Sequence, residues 1–174
     1  MEQLSLRIYP DPILRQVCES VTGFDDGLRE LAAAMIDAMR REAGIGLAAS
    51  QIGHGKRLII ALQMQDPDDN DAEPAVMVNP RVVSESSELW SYEEGCLSIP
   101  GITAQVLRPV EVEIEYQDLD GEAHRIDAEG MYARILQHEI DHTNGRLFVD
   151  YLSSAQKSLI KPKLKKLAET DGAS

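Results

Sequence analysis

The sequence predicts helices packed with antiparallel strands, on three observations. A stripe of apolar residues at helical spacing opens the chain, strictly alternating runs joined by a short turn fill its middle, and a helical period returns from Gly130. At 174 residues the length suits one domain, residues 1–174, with a real core. With 43% hydrophobic and 27% charged residues the composition is that of a globular chain. Thirty acidic against 17 basic side chains leave a net charge of -13, which repels nucleic acid unless a basic patch is set apart, so no specific DNA partner is expected. No apolar run approaches the roughly 18 to 20 residues of a membrane span, the longest, around Leu58 to Leu62, being strand-length. MEQLSLRIYPDP has neither the basic nor the apolar region of a signal peptide, and Arg7 alone makes no transit peptide, so a cytosolic chain with reduced cysteines is expected.

The elements follow in order. From Asp25, the segment DDGLRELAAAMIDAMRREA places Leu28, Leu31, Met35 and Met39 on one helical face, with Gly44 to stop it. RLIIALQ from Arg57 reads as a buried strand, and DPDDNDAEP, with five acids and two prolines between Asp66 and Pro74, as a solvated loop. Strands are expected again at AVMVNPRVV from Ala75, at VEVEIEYQD from Val110 and at EAHRID from Glu122, the last two joined by the turn LDG as an antiparallel meander. Met131, Ile135, His138 and His142 then mark a second helix, closed by Gly145. SSAQKSLIKPKLKKLAE reads as a C-terminal amphipathic helix, about residues 153–169, with Leu159, Ile160, Leu164 and Leu167 inward and a kink at Pro162. There are no internal repeats and no linker between two cores.

The chemistry concentrates in QHEIDHTNGRLF. One helical turn separates His138 from His142, so both imidazoles can close on one metal ion, while Glu139 beside them can hold and deprotonate a water there. Two histidines on a solvated helix face are the plainer reading, but the chain has only four, and His54 and His124 lie in turn-like stretches expected at the surface. A third ligand is needed. The continuation H-E-x-x-H-x-x-G-x-x-H of one group of zinc proteases is met through Gly145 and then fails at Phe148, while Glu169 and Asp171 stand at the far end of a lysine-rich segment. Cys96, in the polar turn EGCLS, is the better candidate, because two imidazoles and a thiolate leave a fourth position open. Cys18 has no such neighbours and reads as a small buried hydrophobe. GIGLAASQIG, residues 44–53, has glycines that admit close backbone approach and an amide, Gln51, that could donate to a developing oxyanion; it lacks the lysine and hydroxyl of a phosphate loop.

Together, GIGLAASQ, EGCLS and QHEIDH resemble the three motifs of the peptide deformylases, and the LDG strand pair and GRLFVDYLS extend the likeness. The resemblance implies an α+β fold, antiparallel β-sheets packed around a central HExxH helix with a C-terminal helix. It implies removal of the N-formyl group from the formyl-methionine of newly synthesised polypeptides, releasing formate. Cys96, His138 and His142 match the family's metal ligands, and Glu139 its general acid and base. Gln51 and the backbone N–H of Leu97 match its oxyanion donors. The peptide would lie against Ile45, Gly46 and Gly95, and its methionine in a pocket of Ile45, Tyr92, Leu97, Arg134, Ile135 and His138. The implied cofactor is one Fe2+ per chain, oxygen-sensitive beside a thiolate, with Ni2+, Co2+ or Zn2+ able to substitute. Thr143 and Asn144 depart from many relatives in packing beyond the site. Arg134 is read either as biasing the second substrate position or as a solvated helix residue. Lys157, Lys161, Lys163, Lys165 and Lys166 form the segregated basic patch, and by analogy with some relatives imply ribosome contact; the plainer reading is a helix that covers the fold. Two rivals stand beside this reading: a zinc peptidase using HEIDH, and a silent ribosome-associated protein, the latter opposed by the intact Glu139.

Overall fold

A computed structural model describes residues 4–69 and 71–171. The opening residues 1–3, read above for a leader, and position 70 of the acidic loop lie outside them. Helix α1, Asp26–Arg41, starts where expected because the Asp25 carboxylate accepts the Leu28 N–H at 2.9 Å. Its end differs from expectation: Ala43, not Gly44, takes the left-handed conformation at φ 53°. Gly44 instead lies against the cleft, where a Cβ would stand 2.7 Å from the end of the Leu97 side chain and push it aside.

Strands β1 (Gly46–Ala48), β2 (Leu58–Leu62), β3 (Pro74–Glu85), β6 (Glu111–Gln117) and β7 (Ala123–Glu129) form one antiparallel sheet in the order β1-β2-β3-β6-β7. Between β3 and β6 the chain makes a separate hairpin, β4 (Leu89–Cys96) with β5 (Ile99–Pro109). EGCLS is therefore the end of a strand and the start of its turn, rather than a turn throughout. β2 is buried on both faces, which explains its unbroken apolar run: Leu58 and Ile60 pack with Leu28, Met35 and Met39 of α1, and Ile59 and Ala61 with the other helix. That helix, α2 (Gly130–Thr143), buries Met131, Ile135, Leu136 and Ile140 against the sheet and ends before Gly145, whose Cβ would lie 2.3 Å from the Arg15 carbonyl.

The last helix, α3 (Ser154–Asp171), departs from the expected kink. It runs unbroken through Pro162, which is exposed, so the Ser158 carbonyl that loses its N–H partner faces water. Ile160, Leu164 and Leu167 pack with the hairpin and with Phe148, whereas Leu159, expected inside, is 78% exposed. The inward face follows the spacing i, i+4, i+7, from which Leu159 is one residue out. No described helix is long and apolar enough to cross a membrane.

Candidate metal centre and cleft

The three ligand candidates meet. The hairpin brings the end of β4 over α2, so that Cys96 Sγ lies 3.4 Å from His142 Nε2, and the ligating atoms of Cys96, His138 and His142 all fall within 4.8 Å of one another. His138 bonds Glu94 Oε1 through Nδ1 at 2.9 Å, leaving Nε2 for the centre. A thiolate and two imidazoles at this spacing suit a first-row divalent metal with one position open, since Zn–S and Zn–N bonds of about 2.3 and 2.1 Å place such atoms about 3.5 Å apart. Burial pulls both imidazoles towards neutrality; at His142 nothing offsets it, whereas at His138 hydrogen bonds to Cys96 and Glu94 outweigh it and raise the pKa.

Glu139 is buried, and burial raises its carboxyl to about 7. Its Oε2 has no hydrogen-bond partner, and a Cβ on Gly46 would stand 2.4 Å from Oε1. Any side chain at position 46 would therefore displace this carboxylate. Gln51, 2% exposed on the turn Ala49–Ile52, accepts the Ala48 N–H at Oε1 (2.9 Å) and donates through Nε2 to Cys96 Sγ (3.4 Å) and Ser98 Oγ (3.2 Å).

A cleft of about 710 Å³ opens beside these groups, lined by Ile45, Gly46, Gln51, Tyr92, Gly95, Cys96, Leu97, Arg134, Ile135, His138 and Glu139. His142 lies below it, the most deeply buried of the three candidate ligands. Sequence reasoning missed Leu6, Ile8, Met64, Pro100 and Met131, which supply further apolar wall. His54 and His124 are exposed and Cys18 is buried, as expected.

Arg134 lines the cleft but is not the solvated helix residue of the plainer reading. It is 3% exposed, and its guanidinium is engaged by Glu94 (2.6 Å), the Val106 carbonyl (3.0 Å) and the Trp90 carbonyl. Glu94 is the main residue the sequence reading overlooked. Its carboxylate accepts Arg108 Nε at 2.6 Å and Nη2 at 2.9 Å as well as Arg134 and His138, and Arg108 in turn reaches Asp141 at 2.8 Å. Burial would raise the Glu94 pKa, but the hydrogen bonds from His138 and Arg108 prevail and hold it well below the usual carboxylate range. A signal existed: Glu94 stands two residues before Cys96 on one strand and so shares its face. Phe148, which could not be a ligand, is buried beside His138 at 6.3 Å between ring centroids.

Two histidines of an HExxH helix meeting a cysteine at the end of β4, a buried glutamate beside them and an adjoining apolar cleft define the class, a metal-dependent hydrolase. The polypeptide deformylase family model matches residues 4–158. The peptide deformylase of Rhizobium meliloti is 45% identical over 168 residues, covering 97% of this chain and 95% of that one. That of Bradyrhizobium diazoefficiens is 46% identical, covering 93% and 94%. The Plasmodium falciparum peptide deformylase structure superposes with a TM-score of 0.90 at 39% identity over 98% of each chain, and a plant peptide deformylase with 0.92 at 38%, over 98% of this chain and 91% of that one. The chain belongs to the polypeptide deformylase family. It is an enzyme of that kind, a metal-dependent hydrolase that removes the N-formyl group from new polypeptides.

Proposed function

We propose that Cys96, His138 and His142 hold one Fe2+ per chain, with Ni2+, Co2+ or Zn2+ able to replace it, and that Glu139, Gln51 and the Leu97 N–H carry the reaction. The observation that carries this reading is the convergence of three ligating atoms within 4.8 Å beside a buried glutamate with an unpartnered oxygen. When bound, the ion polarises the formyl carbonyl and makes water nucleophilic near neutral pH. Glu139 takes a proton from the attacking water and delivers it to the leaving amine nitrogen. Gln51 Nε2 and the Leu97 N–H donate to the oxyanion that forms as the carbonyl opens. The C–N bond then breaks, giving formate and a free α-amino group.

The substrate is a formyl-methionyl nascent peptide, extended along Ile45, Gly46 and Gly95, with its methionine against Tyr92, Leu97, Ile135 and His138. Arg134 shapes that wall through Trp90 and Tyr92, over which its guanidinium lies at 5.0 and 5.7 Å. The reading also takes the chain as a single catalytic domain working in a bacterial-type cytosol. Exposed lysines on α3, at Lys157, Lys161, Lys163, Lys165 and Lys166, favour a contact with ribosomal RNA, because the apolar side of the same helix is already occupied by the fold.

The test is formate release from a formyl-methionyl peptide, assayed anaerobically with iron or nickel, in the wild type, Glu139→Ala and Cys96→Ser. Formate from the wild type alone is expected; equal release from all three refutes the assignment. For the ribosome, co-sedimentation should weaken when the five lysines are changed to glutamine, and unchanged binding ends that idea.

A further inference from the structure

An amide side chain is a two-sided group, and only its N–H side helps an oxyanion. The surroundings of Gln51 fix which side faces the centre. Oε1 is taken by the Ala48 N–H at 2.9 Å, and one of the two Nε2 hydrogens points to Ser98 Oγ at 3.2 Å, leaving the other towards Cys96. Ser98 is fully buried in the β4–β5 turn, 47 residues along the chain from Gln51. A third segment ties the two together: the Arg7 N–H donates to the Gln51 carbonyl at 2.7 Å and the Tyr9 N–H to the Ser98 carbonyl at 2.9 Å. The backbones carrying donor and hydroxyl are thus held in register from outside the site.

We propose that Ser98 is a positioning residue for catalysis, its hydroxyl locking the Gln51 amide with one N–H directed at the developing oxyanion. The inference rests on the donor role given to Gln51 above. Without the hydroxyl, the amide keeps its Ala48 contact and the long one to Cys96 Sγ, and as its N–H leaves the sulfur for the oxyanion only Ala48 restrains its last torsion, a soft one. The loss falls on the transition state, where the donor acts, and spares ground-state binding.

The experiment compares Ser98→Ala, Ser98→Cys, Gln51→Ala and the Ser98→Ala/Gln51→Ala pair, all nickel-loaded, with metal per chain and melting temperature measured beside kcat and KM. Ser98→Ala should lower kcat about tenfold, short of the roughly 10²- to 10³-fold seen when an oxyanion donor is removed, with KM, metal content and melting little changed. Ser98→Cys, which keeps a weak hydrogen-bonding group, should recover part of the rate. In the Gln51→Ala background, Ser98→Ala should cost nothing further. Unchanged kcat in Ser98→Ala, a loss confined to metal content or melting, or a full tenfold loss added on Gln51→Ala each overturns the proposal. If Gln51→Ala itself leaves kcat intact, the donor role fails, and the proposal with it.

Discussion

Two groups of arginines and acids in this molecule have nearly the same contacts and opposite surroundings. On the outer sheet, Arg125 pairs with Glu113 at 3.0 Å and with Glu115, which Arg81 also meets, and the two arginines are 57% and 67% exposed. Beneath the cleft, Glu94 and Arg108 are 6% and 3% exposed and join Arg134, His138 and Asp141. In water the first set exchanges one solvated arrangement for another, and salt screens what remains. In the interior no water replaces a lost partner, so the second set behaves as one unit. That unit spans β4, β5 and α2, the elements that bring Cys96 to the two histidines.

Breaking the buried set should have the largest effect. Glu94→Ala leaves Arg108 and Arg134 buried without their shared carboxylate, and a loss of about 3 to 5 kcal/mol in denaturant unfolding is expected, together with reduced metal content. Glu139→Gln sharpens the contrast, because this buried carboxylate lacks the partners that Glu94 has. Activity should vanish while the metal-free protein gains about 1 to 2 kcal/mol, by removal of an uncompensated buried charge. Metal itself should act on the same region: added nickel should raise the melting temperature of the wild type and leave Cys96→Ser unmoved.

The intermediate case is Asp150, which accepts from Arg15 at 2.6 Å and from the Leu147 N–H at 3.0 Å. Burial would raise its pKa, but these bonds outweigh it and lower it. A depressed carboxylate contributes stability above its unfolded pKa of about 3.9, lost as pH falls through the folded value. Asp150→Asn should therefore be slightly less stable than the wild type at neutral pH, with the gap closing below about pH 4 in pH-dependent melting. Smallest of all, Arg125→Ala should melt with the wild type, and any difference should disappear at high salt.

Much of the fold was legible because its signals are local. α1, α2 and β2 follow from spacing within a few residues, and Asp25 caps α1 at the position its chemistry favours. The hairpin was less legible, since Trp90 and Tyr92 begin an inner face that the charged Glu94 interrupts, and Glu94 reads as solvated when taken alone. The path of α3 through Pro162 was hidden for a related reason: the proline falls on the exposed side, where water replaces the lost bond. Within the site, Cys96 could be chosen by its ligand chemistry. Ser98 and Arg108 could not, because nothing within a few residues of either says what it will meet.

The sequence by itself determined the types of the candidate ligands, the one-turn spacing that sets His138 and His142 on a common face, and the acid between them, because helical geometry is local. The tertiary structure alone decided that Cys96 would stand 3.4 Å from His142 across 46 residues of chain, that Glu94 would hold His138, and that Ser98 would hold Gln51. Those meetings depend on how the β4–β5 hairpin folds over α2, a matter of long-range burial and polar satisfaction that no short window of sequence contains.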